Sequence, residues 1–128
     1  MRYLLALLMT LLLCVACSGP TPEELASLAA KSYYDHLIHE EYELFLEGKH
    51  SEDSLPADYR QQLLDNYRQF MAHQKVAHHG IREVRVVNAK ADTLLKNTHV
   101  FLVLCFGDST NEEIVVPMVE HRGKWMMK

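Results

Sequence analysis

The hydrophobic pattern of this chain changes its period at Ile81, and this change constrains the fold more than any other feature. Before Ile81, apolar residues recur at helical spacing; after it, they alternate or form dense runs separated by short turn-like segments. Helices gathered first and strands gathered afterwards indicate an α+β fold, with helices laid over one face of a curved sheet. Consecutive strands joined by short turns are most simply a four-stranded antiparallel meander.

Three segments before Gly80 have the apolar spacing of helices. The first begins with Thr-Pro-Glu-Glu at residues 21–24, which is typical of a helix N-terminus because the threonine caps it and the acids face its positive end. The second runs from Glu41 to Leu46, and the third covers residues 57–79, with Gly80 expected as a left-handed cap. The four strands are predicted in the segments IREVRVVNA, THVFLVLCF, NEEIVVPMVE and KWMMK.

The start of the chain has the composition of an export signal. From Tyr3 to Cys17 it is apolar except for Thr10, and these 15 residues are fewer than the about 20 that a membrane-spanning helix needs. A basic residue at the start, a short apolar middle and small residues before a cleavage point are typical of a secretory signal. An ordinary cleaved signal and an uncleaved anchor are the alternatives that this pattern leaves open.

The Val-Ala-Cys sequence that ends at Cys17 makes this segment similar to a bacterial lipoprotein signal. The resemblance implies that residues 1–16 are a signal peptide and that Cys17 is lipidated, so that the membrane is a partner through this anchor. Residues 17–22 are then the lipidated cysteine and a short tether, and residues 23–128 are the domain. The resemblance further implies a location in the cell envelope, outside the cytoplasm, and, because Ser18 follows the cysteine, at the outer rather than the inner membrane.

Charge and cysteine content argue against a nucleic-acid-binding protein and against a disulfide-stabilised one. Residues 17–58 hold ten acidic side chains against two lysines, and residues 59–128 hold seven acidic against ten basic ones. Because nucleic-acid binding needs a concentrated basic patch, no nucleic acid is expected as a partner. With residues 1–16 removed and Cys17 lipidated, only Cys105 remains, so no intrachain disulfide can form and packing must stabilise the domain.

The order of the elements resembles one known fold. A helix in TPEELASLAAKSYYDHL, a short helix, a helix containing YRQQLLDNYRQF, and four strands ending in Gly123–Trp125 resemble the nuclear-transport-factor-2-like fold over residues 21–128. The chain is similar in particular to small bacterial lipoproteins of that fold whose function is uncharacterised. The resemblance implies a cone in which helices cover the concave face of the sheet. Enzymes, ligand binders and interaction subunits share this fold, so it does not fix the function.

The mouth of the cone is the expected ligand site. Enzymes of this fold place an Asp, Glu or His there, and the chain offers Asp35, Asp65, Arg85 and His99, but their arrangement does not resemble a catalytic set. We therefore predict no catalytic residue and no cofactor. From the matching elements, the residues expected to line the pocket are Tyr33, Tyr67, Phe70, His99, Phe101 and Trp125.

Histidines occur near acids at the end of the first helical segment. His36, His39, Glu40 and Glu43 share one stripe if the helix continues that far, and imidazole with carboxylate at this spacing can bind zinc or copper. A solvated polar face is the simpler interpretation, because a break at Glu40 would separate the side chains. We therefore predict no metal site.

Both faces of the segment FLVLCF are apolar. In an antiparallel sheet one face usually meets water, so this strand indicates either a deep closed cone or a partner on the outer face. Members of the fold often dimerise through that face, and we expect that a homodimer can form there. Cys105 lies among apolar neighbours in this strand and is expected to be a buried, unreactive thiol.

Three functions remain open. The favoured hypothesis is a membrane-tethered, non-enzymatic binding or interaction module with a small apolar pocket and an unidentified ligand. The second is a structural subunit or homodimer of an envelope assembly. The third is an enzyme of the ketosteroid-isomerase or dehydratase kind, which would need an acid or histidine buried in the pocket with a perturbed pKa.

Overall fold

A computed structural model describes residues 19–128, so the predictions made for residues 1–18, including the lipidation of Cys17, lie outside the described range. The described residues form three helices followed by four strands, in a single sheet of order β1-β2-β3-β4 with every neighbouring pair antiparallel. The predicted α+β meander is confirmed. The elements are α1 (Pro22–Ile38), α2 (Tyr42–Glu47), α3 (Ala57–His78), β1 (Ile81–Asp92), β2 (Asn97–Phe106), β3 (Asn111–His121) and β4 (Lys124–Met127).

Local chemistry sets the ends of the helices. The hydroxyl of Thr21 accepts a hydrogen bond from the backbone N–H of Glu24 (3.2 Å), which caps α1 as its sequence predicts. The chain after α1 turns at Glu40, whose φ of 63° is left-handed and ends the helix. At the end of α3 both His79 (φ 60°) and Gly80 (φ 86°) are left-handed, so the cap begins one residue before the glycine.

The core lies between α1 and one face of the sheet. Ala26 and Ala30 of α1 are fully buried, and their small side chains let the helix approach the strands closely. Even-numbered residues of β2 point toward this helix, which follows from the two-residue period of a strand. The strand residues in the core are Val84, Val100, Leu102, Leu104, Phe106, Val116, Met118 and Met127.

Helix α1 runs antiparallel to β1. Glu24 and Leu28, early in the helix, share a groove with Ala89, late in β1. Asp35, late in the helix, shares a second groove with Arg82, early in β1. The described chain therefore starts at the end of the sheet where β1 turns into β2. No helix within residues 19–128 has the length and apolar character needed to cross a bilayer.

The opposite end of the sheet holds the C-terminus of α3. The Nδ1–H of His78 donates to a carboxylate oxygen of Asp108 in the β2–β3 turn (3.0 Å), and the His78 ring stacks on Phe106 with centroids 4.2 Å apart. Thr110 donates its hydroxyl (2.6 Å) and its backbone N–H (3.0 Å) to the same carboxylate. These hydrogen bonds, led by the Thr110 hydroxyl, lower the pKa of Asp108 to about 2. The ionised carboxylate thus joins the helix end to the turn.

Strand β4 is closed on its outer side by the loop after α2. The backbone N–H of Met127 donates to the carbonyl oxygen of Gly48, and the N–H of His50 donates back to the carbonyl oxygen of Met127, both over 2.7 Å. Lys49 and Met127 form the corresponding parallel bridge. The loop therefore occupies the backbone groups that a terminal strand would otherwise expose.

Candidate ligand-binding cleft

A cleft of about 350 Å³ opens between the three helices and the inner face of β2 and β3. It is the space that the cone-shaped fold leaves between α3 and the sheet. Its size falls at the lower end of the range for small-molecule pockets, about 300–1,000 Å³. The lining residues are Tyr34, Leu37, Phe45, Lys49, Tyr67, Phe70, Leu104, Glu112 and Ile114.

Three aromatic rings form the inner wall of this cleft. Phe45 of α2 lies at the centre and is buried; Tyr34 of α1 and Tyr67 of α3 meet it edge to face, with centroids 5.2 Å and 4.9 Å away. Such pairs contribute about 0.5–1.5 kcal/mol each beyond their buried area. These edge-to-face contacts link the three helices and give the cleft an apolar aromatic wall.

The hydroxyl of Tyr67 is buried in this wall without a hydrogen-bond partner among residues 19–128. Burial is the main cause that raises the pKa of Tyr67, with Tyr59 and Tyr34 adding to it, so the phenol stays protonated and able to donate. A buried, unpaired hydroxyl costs about 1–3 kcal/mol. A ligand with a polar group at this depth could remove that cost by bonding to it.

The rim of the cleft is polar on the sheet side and apolar on the helix side. Lys49, after α2, and Glu112, on β3, are both exposed and carry opposite charges, whereas Phe70 of α3 remains 40% exposed at the entrance. Helix α3 packs lightly, since Leu64 is its one buried residue. The cleft therefore has an exposed aromatic side chain at its mouth and aromatic rings on its inner wall. This arrangement suits an apolar or aromatic ligand.

The structure brings together two of the six residues predicted to line the pocket, Tyr67 and Phe70. Tyr33 and Trp125 meet elsewhere, where the Tyr33 hydroxyl donates to the Trp125 carbonyl oxygen. His99 and Phe101 are odd-numbered residues of β2 and lie on the outer face of the sheet, away from the helices.

Sequence reasoning missed the other seven lining residues, which are Tyr34, Leu37, Phe45, Lys49, Leu104, Glu112 and Ile114. Tyr33 and Tyr34 are adjacent on α1 and point about 100° apart, and the helical spacing did not distinguish the ring at the cleft from the ring at β4. Phe45 is one of the apolar residues of the second helical segment, but the spacing does not separate it from Tyr42, which is half-buried and also packs against the core.

The outer face of the sheet is apolar at its centre. Phe101 and Val103 of β2 are half-buried, Cys105 is buried, and Val115 of β3 is 51% exposed. Val103 is flanked by Arg85 and Glu113, its partners on the two neighbouring strands. An apolar centre with a charged rim is typical of a protein–protein interface.

The histidines at the end of α1 do not assemble a metal site. His36 Nδ1 lies 3.1 Å from a carboxylate oxygen of Glu41, and His39 Nδ1 lies 2.6 Å from the backbone carbonyl oxygen of Asp35. Within residues 19–128, no group of three or more His, Cys, Asp or Glu side chains is placed to hold a metal ion.

No protein-family model and no curated protein matches this chain. A solved structure from Campylobacter jejuni, of a protein described as a candidate NTF2-like transpeptidase, superimposes with a TM-score of 0.62 at 11% sequence identity. The match covers 77% of this chain and 92% of that chain. It confirms that the fold is the nuclear-transport-factor-2-like (NTF2-like) fold. At this identity the likeness carries the fold alone and not the activity.

Proposed function

We propose that this protein is a membrane-tethered lipoprotein of the cell envelope whose domain binds a small apolar ligand without catalysing a reaction. The observation that carries the binding role is the aromatic cleft with the unpaired Tyr67 hydroxyl at its inner wall. The lipidation of Cys17, which the sequence pattern supports, would hold the domain at a membrane.

The lining defines the chemistry of the ligand. Phe45, Leu104 and Ile114 offer apolar contact, and the rings of Tyr34 and Tyr67 offer flat aromatic surfaces. The ligand class that fits is a flat, largely apolar molecule with one hydrogen-bond acceptor, placed to receive the Tyr67 hydroxyl.

Two adjacent glutamates provide a matched test of this cleft. Glu112 lies at its rim, and Glu113 points to the outer face of the same strand; both are exposed. The probe is 8-anilinonaphthalene-1-sulfonate, a fluorescent apolar aromatic anion, titrated into the full chain. Glu112→Trp, which narrows the mouth, should weaken probe binding about tenfold, or ~1.4 kcal/mol. Glu113→Trp removes the same charge and should leave binding unchanged.

Equal effects of the two variants, or no binding of the probe to the parent chain, would count against the cleft. The tether is tested separately by the mass of the mature N-terminus. A mass that includes acyl chains on Cys17, and that is lost in Cys17→Ser, is expected; an unmodified Cys17 would contradict the tether.

A second role is supported by the outer face of the sheet. We propose that Phe101, Val103 and Val115 form the centre of a homodimer interface, because their side chains leave an apolar patch ringed by charge. Val115→Asp should convert the dimer to monomer in sedimentation velocity. Val76 is an equally apolar residue on α3 and is 87% exposed, so Val76→Asp is the control and should leave the dimer intact. A parent chain that sediments as a monomer would overturn this role.

A further inference from the structure

The β1–β2 turn presents two leucines to solvent. Leu94 is 92% exposed and Leu95 is 58% exposed, which makes them the most accessible pair of large apolar neighbours in the described chain. One carboxylate oxygen of Asp92 accepts the backbone N–H groups of both residues, over 3.0 Å and 3.1 Å, and Lys96 closes the turn with a φ of 54°. The turn is therefore fixed in a shape that projects both leucines outward.

This turn lies at the end of the molecule where the described chain starts. Because α1 runs antiparallel to β1, Pro22 at the start of α1 lies toward the same end of the sheet as Leu94. Cys17 precedes Pro22 by five residues, and an extended chain spans at most ~3.6 Å per residue. A lipid on Cys17 would therefore be attached at most about 18 Å from the start of α1.

Basic side chains lie at the same end of the sheet as the leucines. In a four-stranded meander the β3–β4 turn lies beside the β1–β2 turn, so Arg122 and Lys124 join Lys96 there. The Asp92 carboxylate is engaged by the turn, and Glu23 and Glu24 in the first turn of α1 face the positive end of that helix. The β2–β3 turn at the opposite end consists of Gly107, Asp108, Ser109 and Thr110, none of which has a large apolar side chain.

We propose that the β1–β2 turn is a lipid-contact surface, at which Leu94 and Leu95 enter the interface of a phospholipid bilayer while Lys96, Arg122 and Lys124 meet the headgroup phosphates. Exposed leucines with Lys and Arg at the same end of the domain are a composition typical of interfacial membrane contacts. The surface rests on the proposed tether, which brings this end of the domain to the membrane. The proposed surface also defines the orientation of the domain, which the tether alone does not: the leucine end faces the lipid, and the end with His78 and Asp108 faces away.

Two nearly equally exposed positions at opposite ends allow a controlled test. Val76, near the C-terminus of α3, is 87% exposed and lies at the end opposite Leu94. The mature full chain, purified from membranes, is reconstituted into phosphatidylethanolamine–phosphatidylglycerol vesicles with brominated acyl chains, which quench tryptophan on contact. The parent, with Trp125 alone, is compared with Leu94→Trp and with Val76→Trp.

At an interfacial depth of about 5–10 Å, the tryptophan added at position 94 should lose about half of its emission, and its emission maximum should shift to the blue. The tryptophan added at position 76 should show neither quenching nor a shift. A second readout on the unchanged parent removes any effect of the added ring: amide hydrogen exchange at residues 93–96 should slow on vesicles relative to detergent, and that at 107–110 should not.

The outcomes separate the two proposals. A chain that floats with the vesicles but shows equal quenching at both positions, or no slowing at residues 93–96, overturns the lipid-contact surface and leaves the tether intact. A chain that fails to float with the vesicles overturns both, because the surface is inferred from the position of the anchor.

Discussion

The hydroxyl of Tyr33 donates a hydrogen bond to the backbone carbonyl oxygen of Trp125 over 2.7 Å, which links the middle of α1 to the last strand of the sheet. The two residues are 92 positions apart in the chain. Tyr33→Phe removes the donor and leaves the carbonyl oxygen without it, so the free energy of unfolding should fall by about 1 kcal/mol. Chemical denaturation measures this. Tyr59→Phe, at an exposed ring, is the control and should change it little.

Tyr67→Phe should have the opposite effect. Its hydroxyl is buried without a partner in residues 19–128, so its removal should raise the free energy of unfolding of the unliganded protein by about 1 kcal/mol. The same variant should weaken a ligand that accepts a hydrogen bond from this group. A loss of stability comparable to that of Tyr33→Phe would show that the Tyr67 hydroxyl has a partner in solution and would contradict the proposed binding chemistry.

The order of the elements could be predicted from the sequence because it depends on local periodicity. The change of period at Ile81 separates helices from strands, and the Thr-Pro-Glu-Glu start of α1 and the end of α3 near Gly80 were each predicted to within a residue or two. Capping and turn chemistry involve neighbours in the chain, and those neighbours are visible in the sequence.

The composition of the cleft could be predicted only in part. In a strand with one apolar face, that face shows which side points inward. Both faces of β2 are apolar, so nothing in its sequence showed that His99 and Phe101 point outward. The choice between Tyr33 and Tyr34 depended on the angle of α1 across the sheet, which packing over many residues sets. Tyr67 and Phe70 were predictable because they share one stripe of a long helix.

Gly48→Ala should destabilise the protein by about 1–3 kcal/mol, as overpacked sites do. A Cβ at this position would overlap the ring of Tyr33, and the ring is held in place by the bond from its hydroxyl to Trp125. Thermal unfolding of this variant should be compared with that of Gly19→Ala, since a Cβ at Gly19 meets nothing within 4 Å. Equal melting temperatures for the two variants would show that the Tyr33 ring can move aside.

Asp108→Asn should lower stability at neutral pH by an amount that disappears in acid. The folded pKa of Asp108 is about 2, below its ordinary value of 3.8, so its contribution is fully present above pH 3.8 and is lost as the pH falls through about 2. Unfolding curves of the parent and the variant should therefore converge over this range. Glu113→Gln, at an exposed carboxylate on β3, is the control. A difference that stayed constant down to pH 2 would mean that the charge of Asp108 does not join α3 to the turn.

The loop that closes β4 also decides how copies of this protein can associate edge to edge. Because Gly48 and His50 already occupy the backbone groups of Met127, β1 is the edge strand that stays open within the described residues. Two copies could pair β1 to β1 about a two-fold axis. That pairing uses the open edge of both molecules, so neither has a second open edge for a further copy. Strand addition would therefore stop at two molecules, so this sheet is protected against growth into a fibre.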